Sequence, residues 1–291
     1  MLLIVGFLIV LGGVVGGYLM AGGHMGVLWQ PSEVVVIGGA ALGSMLVSTP
    51  GSTLSMTVAQ IKAAIAGGGK SKADYIDLLS MLYQIFKVVQ QQGAMALESH
   101  FENTAQSPIL SKYPKFLADH HALDFLSDSA KVIIVGGLAS HDLEALMDED
   151  LKVHHEEALK PSQALSKIAD ALPGLGIVAA VLGIVITMGH IDGPPEEIGH
   201  HVGAALVGTF LGILMSYGFV QPLSSRLEGA AGEDGYYCLC IKAGLLATYK
   251  GNAPAIAIEF ARRVLPSDVR PTFNETEQFC RAATTASAAA A

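Results

Sequence analysis

Positive charge is missing from long parts of this chain. All 17 lysines and arginines fall in two segments, 10 between residues 53 and 170 and 7 after residue 222. Charge of either sign is scarce, at 15% of residues, and the net charge of −9 excludes a generally basic surface that coats nucleic acid. Cysteine is scarce as well. Cys238, Cys240 and Cys280 are too few and too irregular for a disulfide framework, and the first two lack CxxC spacing, so all three read as reduced cytosolic thiols. Neither HExxH nor GxSxG occurs, and GGGKSK at 67–72 lacks the upstream glycine and the strand of a phosphate loop. The adjacent pairs His120–His121, His154–His155 and His200–His201 point about 100° apart on a helix, so no single pair chelates one ion. No enzyme activity, metal or cofactor is expected.

What the chain has instead is apolar length. Hydrophobic residues make up 51% and the mean hydropathy is +0.48, which argues for a membrane protein. Four apolar segments emerge, at about 2–21, 33–50, 171–190 and 201–221, each close to the length that crosses a bilayer as a helix. The first has no basic region before it and runs longer than a signal-peptide core, so it reads as a retained span. Gly12–Gly16, Gly13–Gly17, Gly39–Gly43 and Gly208–Gly212 are small-xxx-small pairs that let helix backbones approach closely.

Orientation follows from the basic residues. The loops 22–32 and 191–200 contain none, so the positive-inside rule places both termini and the segment 53–170 in the cytoplasm. That segment has helical periodicity. ADYIDLLSMLYQIFKVVQQQ, residues 73–92, is followed by Gly93 at a C′ position, a second run begins at Pro114, and a third opens with Ser140 as N-cap and Asp142 in its first turn. The fold expected is an all-α integral membrane protein with four transmembrane helices. Residues 1–52 hold the first two, 53–170 form a large cytoplasmic helical domain, and 171–222 hold the third and fourth. Residues 223–291 form cytoplasmic helices ending in a disordered, low-complexity tail, AATTASAAAA.

The third and fourth spans organise the rest. Pro173 stands where the third begins and Pro222 where the fourth stops, and neither span has an acid within its apolar body. Pro173 and Ala180 lie seven residues apart on one face, as do Thr209 and Ser216 with Tyr217 beside it. Proline frees a backbone carbonyl inside a membrane helix, and a hydroxyl can satisfy it. Concentrated on two successive helices, these residues point to an ion pathway. Such a pathway needs a titrating carboxylate. Asp170 and Glu33 lie only at the edges of spans, so a partner must supply the buried acid.

The run ALVGTFLGILMSYGFVQP (205–222) resembles the signature of the MotA/PomA stator family of the bacterial flagellar motor. GGYLMAGG, QPSEVVVIGGA, DLLSMLY, EALMDED, LPGLGIVAAVLGIV and RPTF extend the resemblance along nearly the whole chain. The related ExbB/TolQ proteins of envelope energisation have three spans rather than four and are the alternative. The resemblance implies an inner-membrane pentamer around two copies of a MotB-like single-span partner whose aspartate carries the ion. It implies that Pro173 and Pro222 couple ion flux to movement, that Thr209 lines the channel, and that Ala180, threonine in sodium-driven members, favours protons. Tyr217 and Asp170 are counted with the pathway. The resemblance also implies that the cytoplasmic domain pushes on the rotor protein FliG. Glu98 matches the family's acidic contact, Gln90 stands where the family has arginine, and Lys87 lies one turn away.

Overall fold

A computed structural model describes residues 2–288, and side chains from 2 to 282. Among the described residues every regular element is helical. In chain order these are α1 (Leu2–Met20), α2 (Met25–Leu28), α3 (Pro31–Ser48), α4 (Gly51–Ala66), α5 (Lys72–Gln92), α6 (Glu98–Glu102), α7 (Pro114–Leu117), α8 (His120–Val135), α9 (Ser140–Met188), α10 (Pro195–Met215), α11 (Gln221–Tyr249), α12 (Pro254–Arg263) and α13 (Phe273–Ala288). Four stretches are long and apolar enough to cross a membrane: Leu2–Met20, Met25–Ser48, and parts of Ser140–Met188 and of Pro195–Tyr249.

The chain folds into two compact units, one made of Met1–Gly68 with Ala158–Ala230, the other of Gly69–Glu157 with Ala231–Ala291. In the first unit α1 is apolar on all sides and buries no residue, the signature of a helix whose solvent is lipid. Pro31 begins α3 at a first-turn position, where the missing N–H costs nothing. Gly67 ends α4 in the left-handed region at φ 83°, which glycine adopts without strain, and its N–H bonds back to the carbonyls of Ala63 and Ala64. The small buried cluster here consists of Ile37, Ala41, Ile168, Leu172 and Ala179.

The second unit has an ordinary hydrophobic core. α5 supplies Tyr75, Leu78, Met81, Leu82, Ile85 and Phe86 to it, all fully buried, and packs against α12 and α13. Helix α5 starts with a capping box, in which Ser71 accepts from the Asp74 N–H and Asp74 accepts from the Ser71 N–H. Gly93 closes it, as its sequence position predicts.

Four local expectations need correction. The helices do not begin at Pro173 or stop at Pro222: α9 runs unbroken from Ser140 through Pro161 and Pro173, and a π-helical turn, Ser216–Val220, joins α10 to α11 ahead of Pro222. Ser140 is the first helical residue rather than the cap, and the Ala139 carbonyl accepts the first bonds, from the N–H groups of Asp142 and Leu143. The run from Pro114 breaks into α7 and α8, because the Asp119 side chain accepts from the Ala122 N–H and starts a new helix. The tail expected as disordered is helical as far as Ala288, consistent with the high helix propensity of alanine, and residues 289–291 lie outside the described residues.

Candidate functional site

The third and fourth spans meet at their backbones. A Cβ placed on Gly212 of α10 would lie 2.6 Å from the Leu172 carbonyl oxygen and 2.8 Å from the Gly176 Cα of α9. A Cβ on Gly176 would lie 2.8 Å from the Gly208 carbonyl oxygen, and one on Gly183 would lie 2.8 Å from the Ala205 Cβ. No side chain larger than hydrogen fits at these points unless the helices part. In lipid, where apolar side chains gain nothing by leaving solvent, such close approach supplies the packing and weak hydrogen bonding that hold helices together. Backbones this close leave no pore between the two helices.

One hydrogen bond across the seam explains how α9 survives its internal proline. Pro173 has no N–H, so the carbonyl four residues earlier, that of Ala169, has no partner within the helix. The Ser216 hydroxyl, fully buried just after the end of α10, donates to that carbonyl at 2.6 Å. Eight residues further along, Ser224 donates to the Ser162 carbonyl at 2.7 Å, next to Pro161. Ser216 opens the π-helical turn, a local widening of the helix at the donor end of this bond.

Ala180 and Thr209 flank the same seam. Ala180 is 8% exposed, and its backbone nitrogen lies 3.2 Å from the position of a Cβ on Gly208, while the Thr209 Cα lies 3.3 Å from that of a Cβ on Gly176. The structure thus brings Ala180 and Thr209 to one helix contact, and the carbonyl that Pro173 leaves unpaired bonds across the same pair of helices. It does not bring the other three pathway candidates there. Asp170 is exposed, Tyr217 is 67% exposed, and Pro222 lines a separate groove of about 660 Å³ with Leu3, Phe7 and Val10 of α1.

Glu33 is the residue that sequence reasoning undervalued. Placed by its number at the edge of a span, it is 8% exposed in the first turn of α3, and its Oε2 has no hydrogen-bond partner. That oxygen lies 2.6 Å from the position of a Cβ on Gly208, so only glycine leaves room for the carboxylate. The available signal was the pairing of an acid at the start of one span with a Gly at the centre of another, which sequence spacing alone does not reveal.

In the second unit Glu98 is exposed in the first turn of α6, Gln90 is exposed near the end of α5, and the Lys87 Nζ lies 5.9 Å from the centre of the Tyr83 ring. The charge cluster of this unit lies elsewhere. Lys70 pairs with Asp119 and, at 3.4 Å, with Asp234, and sits 4.3 Å over the Tyr237 ring. Burial works against both charges, yet the pairing wins, holding the Asp119 carboxyl below its usual range and the Lys70 ammonium above its own. His121 and His154, drawn from two different sequence pairs, meet edge to face with ring centres 4.6 Å apart. Burial, reinforced by His121, pushes His154 below the usual histidine range. No group of three or more His, Cys, Asp or Glu suited to a metal occurs among the described residues.

Comparison with known proteins gives two family matches in sequence order. Residues 4–93 match the family described as Motility protein A N-terminal, and residues 117–233 match the MotA/TolQ/ExbB proton channel family. The chain is 43% identical over 282 residues to Motility protein A of Salmonella typhimurium, covering 97% of this chain and 96% of that protein. Motility protein A of Escherichia coli gives the same identity and coverage. Among solved structures, C. jejuni MotAB is similar at a TM-score of 0.74 with 16% identity, over 91% of this chain and 96% of that one.

Proposed function

The chain belongs to the Motility protein A family, and on that premise we propose that it conducts protons together with a MotB-like partner and converts their flow into torque on the flagellar rotor. Membership makes it a stator subunit of the flagellar motor, a motor and channel component rather than an enzyme.

The observation that carries the mechanism is the closed seam between α9 and α10. With the two backbones in contact at Gly176, Gly208 and Gly212, an ion has no route between the helices and must travel along a face that another chain covers. The apolar side chains of α9 beyond the seam, Ile177, Val181, Ile184 and Val185, are exposed and await such a cover. A single-span partner laid there brings its own aspartate to the level of Ala180 and Thr209. Protonation neutralises that acid and removes the cost of moving a charge along an apolar wall; release restores the charge and changes how the chains pack. Each proton crossing about 100 mV makes about 2.3 kcal/mol available. The helix through Pro173, where one side-chain bond replaces the rung that the proline removes, is the element that bends as the partner passes.

Alanine at position 180, where the resemblance gives sodium-driven members a threonine, favours protons over sodium. Both termini and the unit that contains Glu98, Lys87 and Gln90 lie on the cytoplasmic side, because the basic residues cluster there. Five copies surround two partner chains, and the exposed face near Glu98 meets FliG.

Rotation tests this reading. A strain lacking this chain is expected to build intact, paralysed flagella, and complementation to restore rotation under a proton gradient alone. Rotation that follows the sodium gradient overturns the ion assignment, and normal swimming without the chain overturns the function.

A further inference from the structure

Where α3 ends, the chain turns through Ser48, Thr49 and Pro50 into α4, and a pocket of about 210 Å³ opens there against α9. Its polar lining is Ser48, Thr49 and Thr53 from the turn and Lys160, Gln163 and Lys167 from α9; none of the lining residues is acidic. Lys160 and Lys167 are seven residues apart and share a helix face. Thr53 is 6% exposed and lines the pocket, and its hydroxyl has no hydrogen-bond partner among the described residues, while its backbone carbonyl accepts from the Thr57 hydroxyl. Helix α4 starts at Gly51 with no side-chain cap, and its first internal bond is from the Leu54 N–H to the Pro50 carbonyl. The amides of Gly51, Ser52 and Thr53 therefore have no partner within the helix.

The depth of the pocket indicates what fills it. Leu46 and Val47, the latter 91% exposed, stand immediately before it on α3, and on α9 the apolar run begins at Ala171, four residues after Lys167. Both helices place the pocket at the edge of the apolar band, where lipid headgroups lie.

We propose that this pocket binds the phosphate of an anionic phospholipid. The phosphodiester oxygens accept from the two ammonium groups, the Thr53 hydroxyl and the free amides of α4, while the acyl chains lie along the exposed apolar side of α3. A zwitterionic lipid brings a second, positive group that the lysines repel; phosphatidylglycerol brings none. Inorganic phosphate shares the charge chemistry but has no chain to lie on α3. The inference rests on the membrane-spanning reading of the four apolar helices and not on torque, ion choice or orientation.

The test uses the full-length chain purified with its stator partner in detergent and stripped of lipid. Thermal stability is measured against added phosphatidylglycerol, phosphatidylcholine and inorganic phosphate, and retained lipid is counted by native mass spectrometry. Phosphatidylglycerol is expected to bind and stabilise, with the K160Q/K167Q variant weakening it about tenfold or more. Thr53→Val, which leaves every charge in place, is expected to weaken it about threefold. Equal binding of phosphatidylcholine, unchanged binding by these variants, or equal stabilisation by inorganic phosphate alone overturns the proposal. A complex that rotates flagella but retains no phosphatidylglycerol overturns this inference and leaves the motor function standing.

Discussion

The two units are held together by opposite means. In the second, the side chains that vanish from the surface are the largest apolar ones, Tyr75, Phe86, Leu78, Met81, Leu82 and Ile85. In the first, the tightest contact is made by glycines at 176, 183, 208 and 212, while Ile177, Val181 and Val185 face outward. Water explains the one and its absence explains the other. Burying Leu or Phe away from water contributes about 1.5–3 kcal/mol each, but beside lipid that gain vanishes. What remains in lipid is close backbone approach and hydrogen bonds such as Ser216 to Ala169. The units should therefore fail under opposite substitutions: the first when a small residue grows, the second when a large one shrinks.

The largest effect is expected from Gly212→Ala. One methyl group, placed 2.6 Å from the Leu172 carbonyl oxygen, forces α9 and α10 apart along the seam that carries Ala180 and Thr209. Loss of swarming together with loss of the co-purified partner is the predicted result. Gly229→Ala is the control, since a Cβ there meets nothing within 4 Å and alanine is the better helix former by roughly 0.5–1 kcal/mol. If both variants swim normally, the seam is not what holds the first unit together.

Next in size is Phe86→Ala. Phe86 is fully buried in α5, and such a truncation costs about 3–5 kcal/mol. Chemical denaturation followed by near-ultraviolet circular dichroism should show the loss. A shift of less than about 1 kcal/mol would remove the contrast between the units.

Ser216→Ala should cost less, about 1–2 kcal/mol, because it orphans one carbonyl in a membrane helix. The decisive measurement is a double-mutant cycle with Pro173→Ala. Restoring the N–H at 173 gives Ala169 its own helical partner, so Ser216→Ala should be nearly silent in that background. Stability of the detergent-solubilised complex is the readout, kept separate from torque. Additive effects would show that Ser216 does not compensate for Pro173.

Much of this contrast was legible in the sequence. Four apolar runs, the basic residues confined to two segments and the Gly208–Gly212 pair were all visible from composition and spacing. Less visible was anything requiring two distant segments to meet. Nothing in the numbering links Ser216 to Ala169, Glu33 to Gly208 or His121 to His154; those pairings exist only once helices pack. Prolines misled the reading of helix ends for the same reason. Pro173 reads as a boundary when its own ladder is considered, and stops reading as one when a hydroxyl from another helix fills the gap. Tyr217 shows the reverse error: seven- and eight-residue spacings put Thr209, Ser216 and Tyr217 together, but Ser216 turned into the seam and Tyr217 turned out of it.

Acid offers a smaller perturbation that reaches the second unit through named groups. The Glu259 carboxyl is held at about 2, chiefly by its hydrogen bonds from Arg262 and then by Arg263, against 4.5 for an ordinary glutamate. A carboxyl whose folded value is depressed stabilises the fold above its unfolded value and loses that contribution as pH falls towards the folded one. The melting temperature should therefore decline between about pH 5 and about pH 2, and Glu259→Gln should flatten part of that decline. An unchanged slope would show that the pair with Arg262 does not survive in solution.

The smallest effect is expected at Glu98. Its side chain is exposed in α6, so Glu98→Gln should change stability by less than about 0.5 kcal/mol. Torque is a separate readout. If Glu98 is one of several charges presented to FliG, each exposed pair is worth about 0–1 kcal/mol, and losing one slows tethered-cell rotation at high load by less than about twofold. Glu98→Lys reverses the sign and should slow it further at equal stability. A Glu98→Gln chain that melts early would place Glu98 in the packing of the second unit, while one that rotates at full torque even as lysine would move the rotor contact to another face. Either result separates a surface that transmits force from a core that only bears it.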